Sequence, residues 1–219
     1  MIKGIFFDFN GTLYFDNYIN RITWQETIEK ITDHKLDFDY FYDTSDISMD
    51  RVMVQAAYKA INKPYTMEEV EYWGNYKEKQ YRDYGIEHKT TILSPGAKDV
   101  LNYVTKKGIP IILCTCSIKE NVDYYYDMFG LDEWFDRSMT VYDTGEYENK
   151  IEMYKVCAQR LGIKIEDALI FEDSKRSINY AIDAGVKNIV AVNNPNVDKK
   201  KEILQIIKDF TELDYSIFD

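Results

Sequence analysis

The sequence predicts an α/β fold, a doubly wound parallel sheet with an α-helical domain inserted after the first strand. Three observations lead there. Ile5-Phe6-Phe7 is a short apolar run that Gly11-Thr12 breaks, as expected of a strand buried on both faces. From Gly96 onward, helical and strand-like stretches alternate, with glycines at the helix ends. Between these parts, residues 14–90 lose the strand pattern and are rich in Tyr, Trp and acids.

In chain order, the first strand covers residues 2–7. Helical periodicity follows over residues 19–31, 49–61 and 67–84, and Thr66 with Glu69 forms a capping-box signature for the third stretch. The next helix runs from Gly96 to Lys107, with Gly108 as its stop, and a strand covers 109–114. A helix to Phe129 ends at Gly130, a strand is expected near 139–142, and helix 150–161 stops at Gly162. Strand 168–172, helix 175–184 with Gly185, strand 188–192 and a final helix from about residue 197 complete the chain. This divides it into a core of residues 1–13 and 91–219 and a helical cap of residues 14–90.

Chemistry concentrates at the predicted strand ends. Asp8 follows the first strand and enters the turn Asp8-Phe9-Asn10-Gly11-Thr12, placing a carboxylate where ligands of open α/β sheets bind. Gly11 lets backbone N–H groups face an anion, and Asp8 suits a nucleophile or metal ligand handling phosphate. Thr115, between Cys114 and Cys116, presents Oγ and its N–H at a second strand end. Glu172-Asp173 ends a third strand, where hard oxygen donors suit Mg²⁺. Lys150 opens the preceding helix and supplies a point charge for phosphate. Each residue alone has an ordinary structural reading, as a loop acid, a strand-end hydroxyl, a helix-dipole partner or a solvated lysine. Their occurrence at successive ends, in this order, is what gives them weight.

On these residues the chain resembles the haloacid dehalogenase-like superfamily, in its helical-cap branch with a Rossmann-like core. Leu93-Ser94-Pro95-Gly96, Glu172-Asp173-Ser174 and Ala184-Gly185 are similar to the subgroup of β-phosphoglucomutase and small-molecule phosphatases. The resemblance implies a phosphohydrolase acting on a small phosphomonoester, a sugar phosphate or nucleotide, through an aspartyl-phosphate on Asp8. It implies Mg²⁺ held by Asp8, the Asn10 carbonyl, Glu172 and Asp173, and phosphate held by Gly11, Thr115, Cys116 and Lys150. Lys155 is a weaker candidate for the lysine, because Ile151 follows Lys150 where relatives often carry Pro.

At position 10 the chain departs from the pattern. The family has a second Asp there as general acid and base, and an amide transfers no proton near neutral pH. Four readings of Asn10 stand open: a natural phosphatase for good leaving groups, a phosphoryl-ligand binding or regulatory protein without catalysis, an engineered Asp-to-Asn trap of a phosphatase or mutase, or proton supply from another residue. Asn10-Gly11 is also prone to deamidation.

Composition narrows the partners. The net charge of −11 over 219 residues opposes non-specific binding to nucleic acid or anionic membrane. A sequence that opens on a core strand, with no signal peptide and no spanning apolar run, is expected to be cytoplasmic, as a monomer or homodimer with a small phosphorylated metabolite. Cys114, Cys116 and Cys157 lack zinc spacing and read as buried free thiols. His34 and His88 read as surface residues. Arg21, Trp24, Arg51, Lys79 and Arg82 read as helix-surface or core residues rather than substrate contacts. Tyr124-Tyr125-Tyr126 are expected to divide between core and surface. Asp43, Asp46 and Asp50 read as a solvated acidic loop, and Lys199-Lys200-Lys201 as a basic run at a helix start.

Overall fold

The computed structural model describes residues 1–44 and 50–219, so Asp46 and the start of the 49–61 stretch lie outside the described residues. Contacts divide the chain into two compact units, Met1–Phe15 with Thr91–Asp219, and Asp16–Thr90.

The first unit is built on five parallel strands: β1 (Gly4–Phe7), β2 (Ile111–Leu113), β3 (Ala168–Glu172), β4 (Asn188–Val192) and β5 (Ile203–Ile207), in the order β2-β1-β3-β4-β5. The α/β class is therefore as the sequence predicts. Successive side chains of β1 serve opposite faces, as a strand buried on both sides requires. Phe6 joins Ile112, Ile170, Met153 and Tyr154 in one core cluster. Phe7 stacks on Phe171 with ring centroids 4.8 Å apart and meets Phe135 edge-on.

The helices of this unit are α5 (Ala97–Lys106), α6 (Lys119–Phe129), α7 (Lys150–Leu161) and α8 (Lys175–Ala184). Gly130, Gly162 and Gly185 end α6, α7 and α8 in the left-handed conformation, as the sequence predicts. Asn149 and Ser174 cap α7 and α8 with side-chain oxygens that accept from Ile151 N–H and Ser177 N–H. At Gly96 the backbone has φ 76°, and a Cβ there would sit 2.6 Å from the Thr211 nitrogen, so only glycine fits this close approach.

The second unit contains α1 (Asn17–Thr32), α2 (Phe38–Thr44), α3 (Asp50–Ala60) and α4 (Met67–Glu87). Trp24, Ile28, Met53, Val54, Ala57, Tyr58 and Val70 fill its core. Thr66 caps α4 reciprocally with Glu69, the predicted capping box.

Five sequence expectations are corrected. The final helix from residue 197 is absent: Ile203–Ile207 forms the edge strand β5, since pairing with β4 gives Ile-Leu-Gln-Ile-Ile a use that helical periodicity does not. Lys199-Lys200-Lys201 accordingly precedes a strand, not a helix. Near residues 139–142 only Val141 bridges Cys114, and Arg137–Met139 is a 3₁₀ turn. Helix α2 falls in a stretch where no helix is predicted. Tyr124, Tyr125 and Tyr126 are all buried, because α6 is covered on a wide arc: Tyr124 meets Phe129, Tyr125 stacks on Phe9, and Tyr126 hydrogen-bonds Thr140 beneath Arg137.

Candidate active site

The sheet register brings the predicted residues to one edge. Phe7 pairs with Leu113 on one side and Phe171 on the other, so Asp8, Thr115 and Glu172 leave adjacent strands at nearly the same level. From β1 the chain moves to β2 on one side and then crosses to β3 on the other, a reversal of strand order at which ligands of doubly wound folds bind.

Asp8 is buried. Its Oδ1 accepts a hydrogen bond from Lys150 Nζ at 2.6 Å, and its Oδ2 accepts from Thr12 Oγ1 at 3.3 Å. Lys150 also donates to Glu172 Oε1. A cation in the first turn of α7 runs against the helix dipole, so the two carboxylates hold it there rather than the helix. Burial alone would lower the lysine's pKa, but Asp8 and Glu172 outweigh burial and hold it well above the ordinary value. Lys155, by contrast, is exposed on the same helix.

Glu172 is fixed from every side. Tyr154 donates to its Oε1 at 3.0 Å, and the N–H groups of Asp173 and Ser174 donate to Oε2 at 3.0 and 3.3 Å. Asn194 Nδ2 donates to the Asp173 carbonyl at 2.7 Å and ties down the same turn. Oxygens of Asp8, Glu172 and Asp173 lie within 4.8 Å of one another. Three hard carboxylates beside a single lysine leave a net negative cluster, and that donor set fits Mg²⁺. The hydrogen bonds from Gly11 N–H to the Tyr14 carbonyl (2.7 Å) and from Tyr14 N–H to the Phe9 carbonyl (2.9 Å) shape the turn without using the Asn10 carbonyl.

Two expected anion donors are otherwise engaged. Gly11 N–H faces Tyr14 rather than an open anion site, because its φ of 76° folds the turn back on itself. Thr115 N–H donates to the Val141 carbonyl at 3.0 Å, since Val141 extends the sheet beside β2, which leaves Thr115 its hydroxyl. Cys116 is half-buried against the core cluster, and burial pushes its thiol up to about 12. Cys114 and Cys157 are buried and free, as expected.

Asn10 sits in a hydroxyl cluster that sequence reasoning missed. Its Nδ2 donates to Tyr125 Oη at 2.9 Å, and its Oδ1 accepts from Ser117 Oγ at 2.8 Å and Thr115 Oγ1 at 3.3 Å. Ser117 and Tyr125 hydroxyls lie 2.9 Å apart. Ser117 follows Thr115 by two residues, so strand-end proximity was a usable signal. Tyr125 lies 115 residues from Asn10, and only folding brings it there. Thr12 belongs to the turn read from the sequence, though without a role, and Tyr154 was unanticipated.

His34 and His88 are exposed, and Trp24 is buried, as expected. Arg21 pairs with Asp39 and Asp43 and lies over Phe38 and Tyr42, and Lys79 pairs with Asp83. Arg51 and Arg82 are half-buried on α3 and α4. Asp43 lies in α2 and Asp50 opens α3. No helix among the described residues is long and apolar enough to cross a membrane.

A doubly wound sheet thus carries an acidic cluster and a buried lysine at its carboxyl edge, where ligands of open α/β sheets bind. The chain belongs to the haloacid dehalogenase-like hydrolases: the family description matches residues 2–185. It is 25% identical over 129 residues to the phosphorylated carbohydrates phosphatase of Thermotoga maritima, covering 53% of this chain and 60% of that protein. It is 26% identical over 152 residues to the probable pseudouridine-5'-phosphatase of Drosophila melanogaster, covering 63% of this chain and 64% of that protein. These matches span less than two thirds of either relative's length. Among solved structures, a family IA hydrolase from Entamoeba histolytica superposes with TM-score 0.86 at 24% identity, covering 98% of this chain and 96% of that one. β-Phosphoglucomutase from Clostridium difficile superposes with TM-score 0.81 at 20% identity, covering 100% and 96%. Both share the fold.

Proposed function

We propose that this protein is a Mg²⁺-dependent phosphohydrolase acting on a small phosphorylated metabolite through an aspartyl-phosphate on Asp8. The observation that carries the reading is the meeting of Asp8, Lys150, Glu172 and Asp173 at one sheet edge, with Lys150 Nζ 2.6 Å from Asp8. Relatives named as phosphatases of phosphorylated carbohydrates and of pseudouridine 5'-phosphate support a sugar phosphate or nucleotide as the substrate class.

Asp8 Oδ attacks phosphorus in line, and the bond to the leaving oxygen breaks. Thr12, through Asp8 Oδ2, and Lys150, through Oδ1, fix the rotamer of the attacking carboxylate. As phosphate enters, Lys150 and Thr115 Oγ1 turn to its oxygens and compensate their charge. Glu172, braced by Tyr154 and two backbone N–H groups, keeps Lys150 oriented. Mg²⁺, held by Asp8, the Asn10 carbonyl, Glu172 and Asp173, supplies further charge neutralisation when bound. Residues 14–90 act as the cap that selects the substrate.

The test is Mg²⁺-dependent phosphate release from a panel of sugar phosphates and nucleotides, with this chain beside Asn10→Asp and intact mass monitored for deamidation. Turnover by either form supports the reading, and none by both overturns it. The amide at position 10 favours one second reading, a phosphoryl-ligand binding protein without turnover. Brisk hydrolysis by the unaltered chain would exclude that alternative.

A further inference from the structure

The amide of Asn10 is held by hydroxyls at both ends, and the donors close into a ring. Nδ2–H donates to Tyr125 Oη, the Tyr125 hydrogen is then available to Ser117 Oγ, and Ser117 donates to Asn10 Oδ1. Thr115 Oγ1 adds a second donor to the same oxygen and itself accepts from Ser117 N–H at 3.2 Å. Tyr125 Oη also lies 3.3 Å from Asn10 Oδ1, so the phenol can donate to that oxygen or to Ser117 Oγ, while the amide N–H donates to the phenol. A ring of this kind fixes the amide plane and the β2–α6 turn together. The group that occupies the family's acid/base position is therefore an ordered, neutral amide beside alcohol and phenol hydroxyls. Imidazole is absent from residues 1–15 and 91–219, since both histidines lie between them. Asp8, Glu172 and Lys150 are tied to one another.

Resting on the function proposed above, we propose that the site selects phosphoryl donors whose leaving oxygen departs without a proton: phosphoanhydrides and acyl phosphates, with aryl esters as their laboratory analogues, ahead of alkyl esters. In the first step, Asp8 Oδ forms the bond to phosphorus and the breaking P–O bond leaves its electron pair on the departing oxygen as an anion. Carboxylate, phosphate and phenolate are stable in that form, whereas an alkoxide needs the proton that an amide cannot give. In the second step, water attacks the aspartyl-phosphate, the Asp8–phosphate bond breaks, and the water proton passes to the released phosphate or to solvent. That step lacks a general base as well, so it limits turnover whenever the first step is fast.

The experiment uses the unaltered protein with Mg²⁺. It compares kcat/KM for acetyl phosphate, pyrophosphate and a series of substituted phenyl phosphates with glycerol phosphate and a sugar primary phosphate, and follows p-nitrophenol release before steady state. A missing general acid is worth about 10² to 10⁴ in rate, so the alkyl esters are expected to fall at least about 10²-fold below the others. Nitrophenol is expected to appear in a burst near one equivalent per active site. Equal kcat/KM across alkyl esters, aryl esters and anhydrides would overturn the inference and leave the phosphatase reading intact. No turnover and no burst with any substrate would overturn the inference alone, while phosphate release by Asn10→Asp on the same substrates would keep the phosphatase reading.

Discussion

Among the described residues each unit buries one lysine, and the two are built differently. Lys150 and Lys77 both keep only 4% of their side chains exposed, and both face two carboxylates. Lys77 Nζ reaches Glu78 at 2.6 Å, Asn20 Oδ1 at 2.9 Å and Asp50 at 3.7 Å, and lies over the rings of Trp24 and Tyr81. These partners come from α1, α3 and α4, so this lysine joins helices. Asn20 and Tyr81 also converge on buried Asp16, which continues the same polar core. Lys150 instead joins the ends of β1 and β3, next to a third carboxylate, Asp173, with oxygens of the three acids within 4.8 Å of one another. Buried charge by itself therefore does not mark a site. Convergence of oxygen donors at the carboxyl edge of a parallel sheet does.

The comparison is sharpened first at Asp8. Asp8→Asn is expected to abolish phosphate release, by about 10⁴-fold or more, as removal of a nucleophile does, with the fold intact by circular dichroism. Retained turnover would move the nucleophile elsewhere. Lys150→Met should lower kcat/KM by about 10² to 10³ and destabilise the protein by about 3–5 kcal/mol, because Asp8 and Glu172 are left buried without their cation. Kinetics and denaturant unfolding measure the two parts. Added Mg²⁺ should recover some of the stability, since it binds the same carboxylates.

Lys77→Met should cost a similar 3–5 kcal/mol, read by fluorescence of the neighbouring Trp24, and Mg²⁺ should not recover it. If Mg²⁺ rescued both variants alike, the distinction between a structural and a functional lysine would fail. Alkaline pH probes the same pair without substitution. Burial disfavours the Lys77 charge, but Asp50 and Glu78 outweigh burial and raise its pKa. A lysine raised on folding contributes fully below its unfolded value of about 10.4 and loses that contribution as pH climbs through the folded value. Loss of the Trp24 signal is therefore expected only above about pH 10.4. Thr66→Ala, which removes the capping box of α4, should be the mildest change, about 1 kcal/mol in thermal unfolding.

Much of this was legible because local chemistry and fold agree. Apolar runs at 168–172 and 188–192 became β3 and β4, and glycines ended α6, α7 and α8 where they stand in the sequence. Asp8, Lys150, Glu172 and Asp173 were legible because each follows a strand or opens a helix, which is a local property. The edge strand β5 was not, since a five-residue apolar run after a lysine cluster is ambiguous until β4 offers hydrogen-bond partners. Nor was the burial of Tyr124, Tyr125 and Tyr126, which depends on how wide an arc of α6 the core covers.

By itself, the sequence determined the alternation of elements, the capping box of α4, the glycine stops of α6, α7 and α8, and the set of acids that end adjacent strands. These follow from periodicity and from backbone preferences that act over a few residues. Only the tertiary structure decided which groups meet: Lys150 with Asp8 across 142 residues, and Tyr125 and Ser117 with Asn10 across 115 and 107. Hydrogen bonds of such range depend on sheet register and helix rotation, which are set by packing the whole core at once.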